Sequence, residues 1–406
     1  MKFTQKVLVA GLSLLTINSF AQDLNGNHEH NYIVTGKDLF TSTQSLHSEM
    51  QLDVIKVEKD LVIAKTKRME ERAEISHLAH EEHKRCGGYF AFQTKEEALK
   101  FVKESQENMK GQQDYSSLVA DYTLNQEDLV RDTISKAQES SIRGVIEKMS
   151  SFHNRYYKSE TGVQSQQWLK DHWTSLTAHR NDISVEFFNH SGFPQPSVIA
   201  TIKGKSDDII VIGGHADSIA GWWGRTNAHA PGADDNASGT ATVTEVLKVL
   251  AQSGYQPEKT IKFMAYAAEE VGLLGSKDIA QTHKREGKSV VGVMQLDMTN
   301  FNNSNDDITI ITDYTNEAQN NFLGSLIDTY LPELTWGRDT CGYACSDHAS
   351  WTAQGFPAST PFETRKREMN GRIHTSRDTL DYMGGTADHA LKFAKLALSF
   401  VIELDR

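Results

Sequence analysis

The sequence predicts an α/β protein with a doubly wound, largely parallel sheet of mixed strand direction, helices on both faces, and a small α+β region ahead of it. After residue 119, apolar segments alternate with segments of helical periodicity. Near-continuous apolar strands separated by helices are typical of a parallel sheet that is covered on both faces. The 406 residues accommodate one large domain and a further region. Their composition, 38% apolar and 24% charged, is unlike that of fibrous or disordered proteins.

Residues 1–21 predict a signal peptide. Lys2 and Lys6 precede an apolar run over residues 7–17, and the small residues Ser19 and Ala21 follow at the cleavage positions. The run is too short to span a bilayer, and no later run reaches the ~20 apolar residues that a span requires. We therefore expect a secreted protein, released to the medium or to the periplasm. The alternative is a buried N-terminal helix.

Residues 22–118 predict a propeptide that is removed from the mature protein. Thr94 and Glu97 form a capping box ahead of one short amphipathic helix. The polar segment that follows, SQENMKGQQDYSS, predicts a linker. His80 and His83 lie in this charged region, and we expect both to be solvated. The alternative is a small permanent domain.

Residues 119–406 predict the main domain. One helix is expected over Thr240–Leu250, because its apolar residues recur at helical spacing, and another closes the chain around Leu391 to Val401. The candidate strands are Val198–Ile202, Ile209–Gly213, Ile261–Ala265, Val290–Leu296 and Ile308–Thr312.

The net charge and the cysteine content limit the classes of partner and the cellular compartment that we expect. The net charge of -12 argues against nucleic acid or an anionic membrane as a partner, because both require a clustered positive surface. We expect a monomer. Of the three cysteines, Cys341 and Cys345 are close enough in sequence to form a disulfide in an oxidising compartment, which leaves Cys86 unpaired. The alternative is that the close pair supplies metal thiolates.

Histidines and acidic residues follow the ends of the predicted strands. His215 and Asp217 follow one strand, Glu269 and Glu270 follow the next, and Asp297 follows a third. Sites in doubly wound sheets form beyond the carboxyl ends of the strands. Two loops add further candidates: PGADDNASG contains Asp234 and Asp235, and GRIHTSRDT contains His374. The sequence therefore predicts a metal site at one sheet edge.

The candidate ligands suit two zinc ions. Two histidines and three carboxylates can give each ion nearly four ligands and leave a position for water, and one carboxylate can bridge the pair. Two metals ~3.5–4 Å apart polarise a carbonyl group and lower the pKa of a shared water toward ~7. The side chains of Glu269 and Glu270 diverge, so one can bind metal while the other accepts a proton. Asp217 can orient His215 by accepting the other imidazole N–H.

Each motif taken alone also has an ordinary structural interpretation. A Glu-Glu dipeptide is usually a solvated turn, and Asp217 could cap the loop that follows it. No strand end selects His229 or His389, and His348 suits a structural or pocket-wall role better than ligation. The joint placement of the motifs at strand ends favours the metal site.

Six motifs resemble, in this order, the secreted bacterial leucyl aminopeptidase family of two-zinc exopeptidases. The resemblance runs from about residue 119 to the end and makes this part the catalytic domain. It implies that His215, Asp297, Glu270 and His374 bind zinc, that Asp235 bridges both ions, that Glu269 is the general base and later proton donor, and that Asp217 supports His215. The motifs are GGHADS, PGADDNASG, AYAAEEVGLLGS, QLDMTN, CGYACSDHASW and GRIHTSRDT.

The resemblance also implies the substrate and the role of the propeptide. FAFQTKEEALKFV is similar to part of a propeptide that inhibits these enzymes and assists their folding. The substrates would be peptides with apolar, leucine-like amino ends. Asn236 and Ala216 depart from the family pattern, in which we expect Asp and a bulkier residue. The implied side-chain pocket, braced by the Cys341–Cys345 disulfide, is lined by Met298, Ile311, Tyr343, Phe362 and Ile373.

Two other reactions on the same scaffold remain open. A carboxypeptidase would place an arginine beside the site to bind the terminal carboxylate, and Arg365, Arg367 and Arg372 are candidates. A glutaminyl cyclase would need only one zinc. A secreted binding module with structural metals would have no use for the non-ligating Glu269.

Overall fold

The computed structural model describes residues 30–46, 50, 52–83, 87–119, 122–221 and 224–406. The predicted signal peptide, residues 1–21, and Cys86 lie outside the described residues. The described chain contains a four-stranded sheet in its first part and an eight-stranded sheet in its second.

The eight-stranded sheet is mixed, with a parallel centre. Its strands lie in the order β11-β10-β12-β9-β7-β8-β6-β5, and the four from β12 to β8 run parallel to one another. Antiparallel pairs flank this centre: β5 with β6, β6 with β8, and β10 with β12. The strands are β5 Ile183–Phe188, β6 Ser197–Ile202, β7 Ile209–His215, β8 Thr260–Tyr266, β9 Val290–Gln295, β10 Ile308–Ile311, β11 Trp336–Asp339 and β12 Ala358–Phe362.

Helices cover both faces of this sheet, which confirms the predicted fold class. Alternate residues of β7 show this, because Ile210 and Ile212 face one apolar cluster while Ile209 and Val211 face another. No helix within the described ranges is both long and apolar enough to cross a membrane. The helices are α4 Glu127–Ile134, α5 Glu139–Ser150, α6 Glu160–Thr177, α7 Gly239–Gln252, α8 Leu274–Arg285, α9 Glu317–Tyr330, α10 His348–Ala353 and α11 Asp388–Leu404.

The predicted apolar strands all form, and three further strands were not predicted. β12, of sequence ASTPF, is buried although most of its residues are not strongly apolar, so apolarity alone does not reveal it. β5 and β11 lie at the two edges of the sheet. An edge strand is less buried than a central one, so it can form from an alternating or polar sequence.

Residues 30–119, termed the N-terminal region below, form an antiparallel sheet in the order β2-β3-β1-β4 with three helices. Thr94 and Glu97 form the predicted capping box at the start of α3. The elements are β1 Tyr32–Gly36, α1 Lys37–Leu46, β2 Asp53–Glu58, β3 Leu61–Lys65, α2 Met69–Glu81, β4 Tyr89–Phe92 and α3 Lys95–Val119.

The predicted linker is wrong, because α3 continues through the whole SQENMKGQQDYSS segment. Most residues at its start, such as Gln106, Glu107 and Lys110, are good helix formers. The single Gly111 costs only ~1 kcal/mol relative to alanine in a helix. Polarity was therefore a poor guide here, since a polar segment with high helix propensity can extend an existing helix.

Candidate metal centre and substrate cleft

The parallel strands carry their polar residues to one edge of the large sheet. His215 ends β7 and lies opposite Tyr266 at the end of β8. Glu269 and Glu270 then form a 3-10 turn directly after β8, and Asp297 follows β9. The other two predicted ligands, Asp235 and His374, reach the same edge from loops.

Two groups of donor atoms form at this edge, and they share one carboxylate. His215, Asp235 and Asp297 make one group, while Asp235, Glu270 and His374 make the other, each with its donor atoms within 4.8 Å of one another. Asp235 Oδ1 lies 3.1 Å from His215 Nε2, and its Oδ2 lies 3.2 Å from His374 Nε2. Asp235 thus directs one oxygen into each group, the geometry of a bridging ligand.

Each group is closed by a second carboxylate. Asp297 Oδ1 lies 3.3 Å from His215 Nε2, and Glu270 Oε2 lies 2.9 Å from His374 Nε2. The structure therefore brings together all five side chains that the sequence singled out as ligands.

The donor set fits divalent metal ions. Both oxygens of Asp235 and of Glu270, and Nε2 of His215 and of His374, are buried and make no hydrogen bond to any described residue. Buried polar atoms without partners are costly, and these converge on two points. In the forms that bind metal, the three carboxylates and two neutral imidazoles carry three negative charges in a dehydrated space, which two divalent cations would offset.

The histidines of the cluster are strongly coupled to the surrounding acids. Burial lowers the pKa of His215, but the carboxylates of Asp297 and Glu269 outweigh this and hold it well above its usual value. Burial likewise opposes protonation of His374, while Glu270 and Asp235 raise its pKa to about 10. Each imidazole therefore lies in a strongly negative field, which also attracts cations.

The acids respond to burial in different ways. Burial, reinforced by Asp235, raises the pKa of Glu270 to about 7. Burial alone would raise the pKa of Asp235, but close interactions with His215 and His374 outweigh the burial and lower the pKa. Burial raises the pKa of Glu269 well above its usual value. Glu269 lies outside both donor groups, and its two carboxylate oxygens have no hydrogen-bond partner among the described residues.

Asp217 contacts the backbone of both glutamates as well as the His215 ring, and the sequence predicted only the ring contact. Its Oδ1 lies 3.4 Å from His215 Nδ1, as expected for an acid that orients the ring. The same carboxylate also accepts the backbone N–H groups of Glu269 (2.9 Å) and Glu270 (3.2 Å). One buried side chain therefore fixes both a candidate ligand and the turn that carries the two glutamates.

A buried network behind Asp235 was not predicted. The Asp378 carboxylate accepts the backbone N–H groups of Asp234 and Asp235, the latter at 3.0 Å. Asn370 Nδ2 donates to Asp234 at 3.0 Å and to Asp378 at 3.2 Å. These contacts hold the backbone of the shared ligand. The only signal in the sequence was the position of Asp378 four residues after His374.

Arg155 and Asn236 organise the loops around the centre. The guanidinium of Arg155 is buried and donates to the carbonyls of Ala216 and Gly232, both at 2.8 Å. Asn236 Nδ2 donates to the carbonyl of Leu296 at 3.0 Å, while its Oδ1 accepts the backbone N–H of Met298 at 3.1 Å. The amide group of Asn236 thus connects the loop that carries Asp235 to the loop after β9.

Most of the predicted substrate pocket forms a single apolar cluster. Met298, Ile311, Phe362 and Ile373 are buried together with Met369 and both cysteines. Cys341 and Cys345 form a disulfide bond. Tyr343, the fifth predicted residue, instead belongs to a neighbouring cluster that includes Val34 and Phe90. Its hydroxyl donates to the Val34 carbonyl at 3.3 Å.

The N-terminal region covers the centre. The ring of His80, on α2, lies 5.1 Å from that of His374, and His80 is buried. A Cβ built on Gly87 would lie 3.4 Å from Glu269 Oε1, so the chain passes directly over the glutamate. A cavity of about 560 Å³ remains beside His374 and is lined by residues of both regions.

The expectation that His80 is solvated is therefore wrong, while His83 is half-buried. His80 packs against the catalytic side of the molecule, and His83 Nε2 lies 2.9 Å from the Ser42 hydroxyl. The charged sequence around both histidines suggested exposure, but it could not reveal that this helix faces a distant part of the chain.

The remaining histidines are outside both donor groups. His348 Nε2 lies 3.1 Å from the Asp313 carbonyl, and His389 Nε2 lies 2.7 Å from the Asp307 carbonyl. Burial lowers the pKa of each to about 4, which keeps both neutral. The ring of His229 lies beside that of His153 in a tilted arrangement, with the ring centroids 5.4 Å apart.

The candidate arginines of a carboxypeptidase have other contacts. Arg365 Nη2 forms an ion pair with Asp306 at 2.6 Å, and the Arg372 guanidinium lies 5.5 Å from the Tyr382 ring centroid. Arg367 is exposed.

Comparison with known proteins agrees with the geometry. The chain is 40% identical over 299 residues to leucine aminopeptidase 1 of Arthroderma otae, covering 70% of this chain and 78% of the relative. The crystal structure of the Legionella pneumophila LapA aminopeptidase matches with a TM-score of 0.76 and 27% identity, over 92% of this chain and 98% of that one. That share exceeds what residues 119–406 alone could supply, so the match extends into the N-terminal region.

A glutaminyl cyclase of an Acidobacteriales bacterium shares the fold, with a TM-score of 0.55 and 17% identity over 66% of this chain and 94% of that one. At this identity the likeness concerns the fold alone. The model of peptidase family M28 matches residues 197–400, the part of the chain that contains every predicted ligand. This chain belongs to peptidase family M28 and is a peptide hydrolase.

Proposed function

We propose that this chain is the precursor of a secreted two-zinc aminopeptidase that removes apolar, leucine-like residues from the amino ends of peptides. One observation carries the proposal: Asp235 is shared between two buried donor groups, and the uncoordinated Glu269 lies beside them. A two-metal site with a separate carboxylate base is suited to activating water against a peptide carbonyl.

The five side chains would hold the ions in two sites bridged by Asp235. His215 and Asp297 would complete one site, and Glu270 and His374 the other. Nitrogen and carboxylate donors in this number suit zinc. Two zinc ions, when bound, polarise the scissile carbonyl and make hydroxide accessible near neutral pH.

The residues of the chain supply proton transfer and positioning. Glu269 accepts a proton from the attacking water and donates it to the departing amine. Its carboxylate is buried, and this burial raises its pKa above the usual value, which strengthens it as a proton acceptor. Asp217 holds the backbone of Glu269 and the ring of His215 in fixed relation.

The apolar cluster around the disulfide supports the preference for apolar side chains. Met298, Ile311, Phe362 and Ile373 would line the pocket for the first residue, with Tyr343 joining them when the N-terminal region no longer engages its hydroxyl. Burial of a leucine side chain contributes ~1.5–3 kcal/mol, which favours leucine over glycine in such a pocket.

The domain organisation forms part of the proposal. Residues 1–21 would direct export and be removed, residues 22–118 would act as an inhibitory and folding-assisting propeptide, and residues 119–406 would form the mature enzyme, a monomer in the medium or the periplasm. The contact of His80 with His374 and the passage of Gly87 over Glu269 support the inhibitory role.

The two rival reactions have weaker support. A glutaminyl cyclase would use one zinc, whereas two donor groups are present here. A carboxypeptidase would need an arginine for the terminal carboxylate, and Arg365 is already paired with Asp306. Leucine p-nitroanilide, a carboxyl-end peptide substrate and a glutaminyl peptide, assayed side by side, separate the three reactions.

The decisive variant is Glu269→Gln, which keeps the size of the side chain and removes its basicity. We expect kcat on leucine p-nitroanilide to fall by ~10²–10⁴-fold while the zinc content stays the same. Glu333→Gln, at an exposed glutamate, is the matched control and should retain full turnover. Full activity of Glu269→Gln would remove this residue from the mechanism.

A further inference from the structure

A short extended segment of the N-terminal region leads away from the centre across the catalytic domain. It starts at Gly87, where a built Cβ would lie 3.4 Å from Glu269 Oε1, and continues through β4 to Phe92. Ala91 lies four positions after Gly87, which corresponds to ~13 Å of extended chain. The segment thus follows a track from the proposed general base to the surface of α8.

The outer end of this track is held by main-chain hydrogen bonds. The Ala91 N–H donates to the Gly272 carbonyl at 3.2 Å, and the Lys277 ammonium donates to the Ala91 carbonyl. β4 is the edge strand of its sheet, so both of these groups of Ala91 point away from β1 and toward the catalytic domain. A docked strand recognised through its backbone can be replaced by another extended peptide of different sequence.

The direction of the segment matches that of a substrate. A peptide whose amino end lies at the metal centre extends outward with its carboxyl end leading, and Gly87 to Phe92 runs outward in the same direction. Gly272 permits the close approach, because its φ is +109° and a Cβ there would lie 2.7 Å from the Ala91 Cβ. The same groove therefore suits the backbone of a longer peptide.

We propose that the mature enzyme binds the downstream residues of its substrates along the track now occupied by Gly87–Phe92, with the Gly272 carbonyl and the Lys277 ammonium gripping the peptide backbone about four or five residues beyond the scissile bond. Lys277 then acts as a specificity-determining residue that favours oligopeptides over dipeptides and amino-acid amides. This inference rests on the proposed function, since it requires an amino-end substrate and departure of the N-terminal region.

The surroundings of Lys277 are consistent with this role. Its ammonium lies 3.9 Å from the Phe92 ring centroid, and burial lowers its pKa to about 7 while Glu97 and Asp278 oppose that shift. Phe92 and Glu97 belong to the N-terminal region and leave with it. Asp278 is engaged by His190 at 2.8 Å. The exposed ammonium would then carry its full charge at neutral pH and be available to a peptide carbonyl or carboxylate.

The test compares substrate lengths in variants of the processed enzyme. The full chain is produced, loaded with zinc and freed of its N-terminal region by limited proteolysis, so that folding occurs with that region attached. The kcat/KM values are measured on leucine p-nitroanilide and on the hexapeptide Leu-Ala-Ala-Ala-Ala-Ala. The variants are Lys277→Met, Lys277→Arg and, as a matched charge control on the same helix, the exposed Lys284→Met.

We expect Lys277→Met to lower the hexapeptide-to-nitroanilide ratio of kcat/KM by about tenfold, mainly through KM, as for loss of a charge-assisted hydrogen bond. Lys277→Arg should retain most of the ratio, and Lys284→Met should keep the wild-type ratio. An unchanged ratio in Lys277→Met, or an equal fall in Lys284→Met, would overturn the inference. If the processed wild-type enzyme cleaves neither substrate, the proposed function itself fails, and this inference fails with it.

Discussion

The two sheets of this protein differ in where their apolar cores lie. The eight-stranded sheet is covered by its own helices, and its two large clusters contain only residues from the second part of the chain. Among the described residues, the four-stranded sheet has no apolar core of its own, because its clusters combine residues of the N-terminal region with residues of the catalytic domain. Ile33 and Leu78 share a cluster with Tyr156 and Leu274, while Phe90 shares another with Leu273.

The difference indicates that the core of the N-terminal region is completed by residues of the catalytic domain. A single cut between the two would leave the apolar contacts intact, so the region would remain bound until it is itself degraded. In the proposed precursor, the position of the N-terminal region over Glu269 and His374 would let the same contacts block the site. The contacts that complete the core of the N-terminal region would thus also keep the precursor inactive.

Paired core substitutions provide the strongest test of this asymmetry. Phe263→Ala, in the core of the large sheet, and Phe90→Ala, in the shared core, each delete a fully buried ring at a cost of ~3–5 kcal/mol. We expect Phe263→Ala to lower the Tm of the catalytic domain. Phe90→Ala should instead loosen the N-terminal region and raise the turnover of leucine p-nitroanilide by the unprocessed chain. A fall in catalytic Tm in both variants, without a rise in turnover, would contradict the asymmetry.

Removal of the N-terminal region by limited proteolysis should have the next largest effect. If the region covers the centre for ~99% of the time, removal raises turnover by ~100-fold. Turnover and fragment masses are followed together during digestion. Equal activity of the intact and processed chains would show that the region does not block the site.

Asp378→Asn tests whether the catalytic domain positions its shared ligand without help from the N-terminal region. The substitution weakens the acceptor for the backbone N–H groups of Asp234 and Asp235, and loss of such support typically costs ~10–100-fold in metal affinity or activity. The exposed Asp381→Asn is the matched control. Zinc affinity is measured by chelator competition on intact and processed chains. An effect confined to the intact chain would contradict this assignment.

The pH dependence of zinc binding should produce the most graded effect, with the smallest change per step of pH. In the metal-free protein, Glu270 and Asp235 outweigh burial and raise the pKa of His374 to about 10, while burial and the charge of Asp235 raise the pKa of Glu270 to about 7. Zinc requires both groups deprotonated, so protons compete increasingly as the pH falls through these values. Apparent affinity should therefore weaken from pH 9 to pH 6, by about tenfold per unit for each proton displaced.

The same pH trend is expected in intact and processed chains, because both ligands belong to the catalytic domain. Chelator competition at several pH values measures it. A flat profile, or tighter binding at pH 6 than at pH 9, would show that the metal does not displace protons from these two side chains.

The catalytic half of the molecule could be predicted because local signals and long-range structure agree there. Apolar runs defined the strand ends that carry His215 and Asp297, and parallel strands bring such ends to one edge. Asp235 and His374 come from loops, so their assignment as ligands depended on the motif resemblance as well as on the strand pattern. Buried supports such as Asp378 and Arg155 resemble ordinary surface residues in sequence, because their burial follows only from the tertiary fold.

The N-terminal region was predicted less well because its sequence is polar and much of its packing is against the second part of the same chain. The start of α3 followed from the capping box of Thr94 and Glu97, but its length did not. The burial of His80 depends on a surface supplied by residues almost three hundred positions later. Such a contact leaves no periodic trace in the local sequence.

Anomalous diffraction at the zinc edge, from crystals of the zinc-loaded processed chain, would locate the metal ions among the five ligands. We expect two peaks ~3.5–4 Å apart, with one carboxylate oxygen of Asp235 toward each, His215 and Asp297 at one peak, and Glu270 and His374 at the other. A single peak in this cluster, or two peaks without Asp235 between them, would contradict the proposed two-metal site.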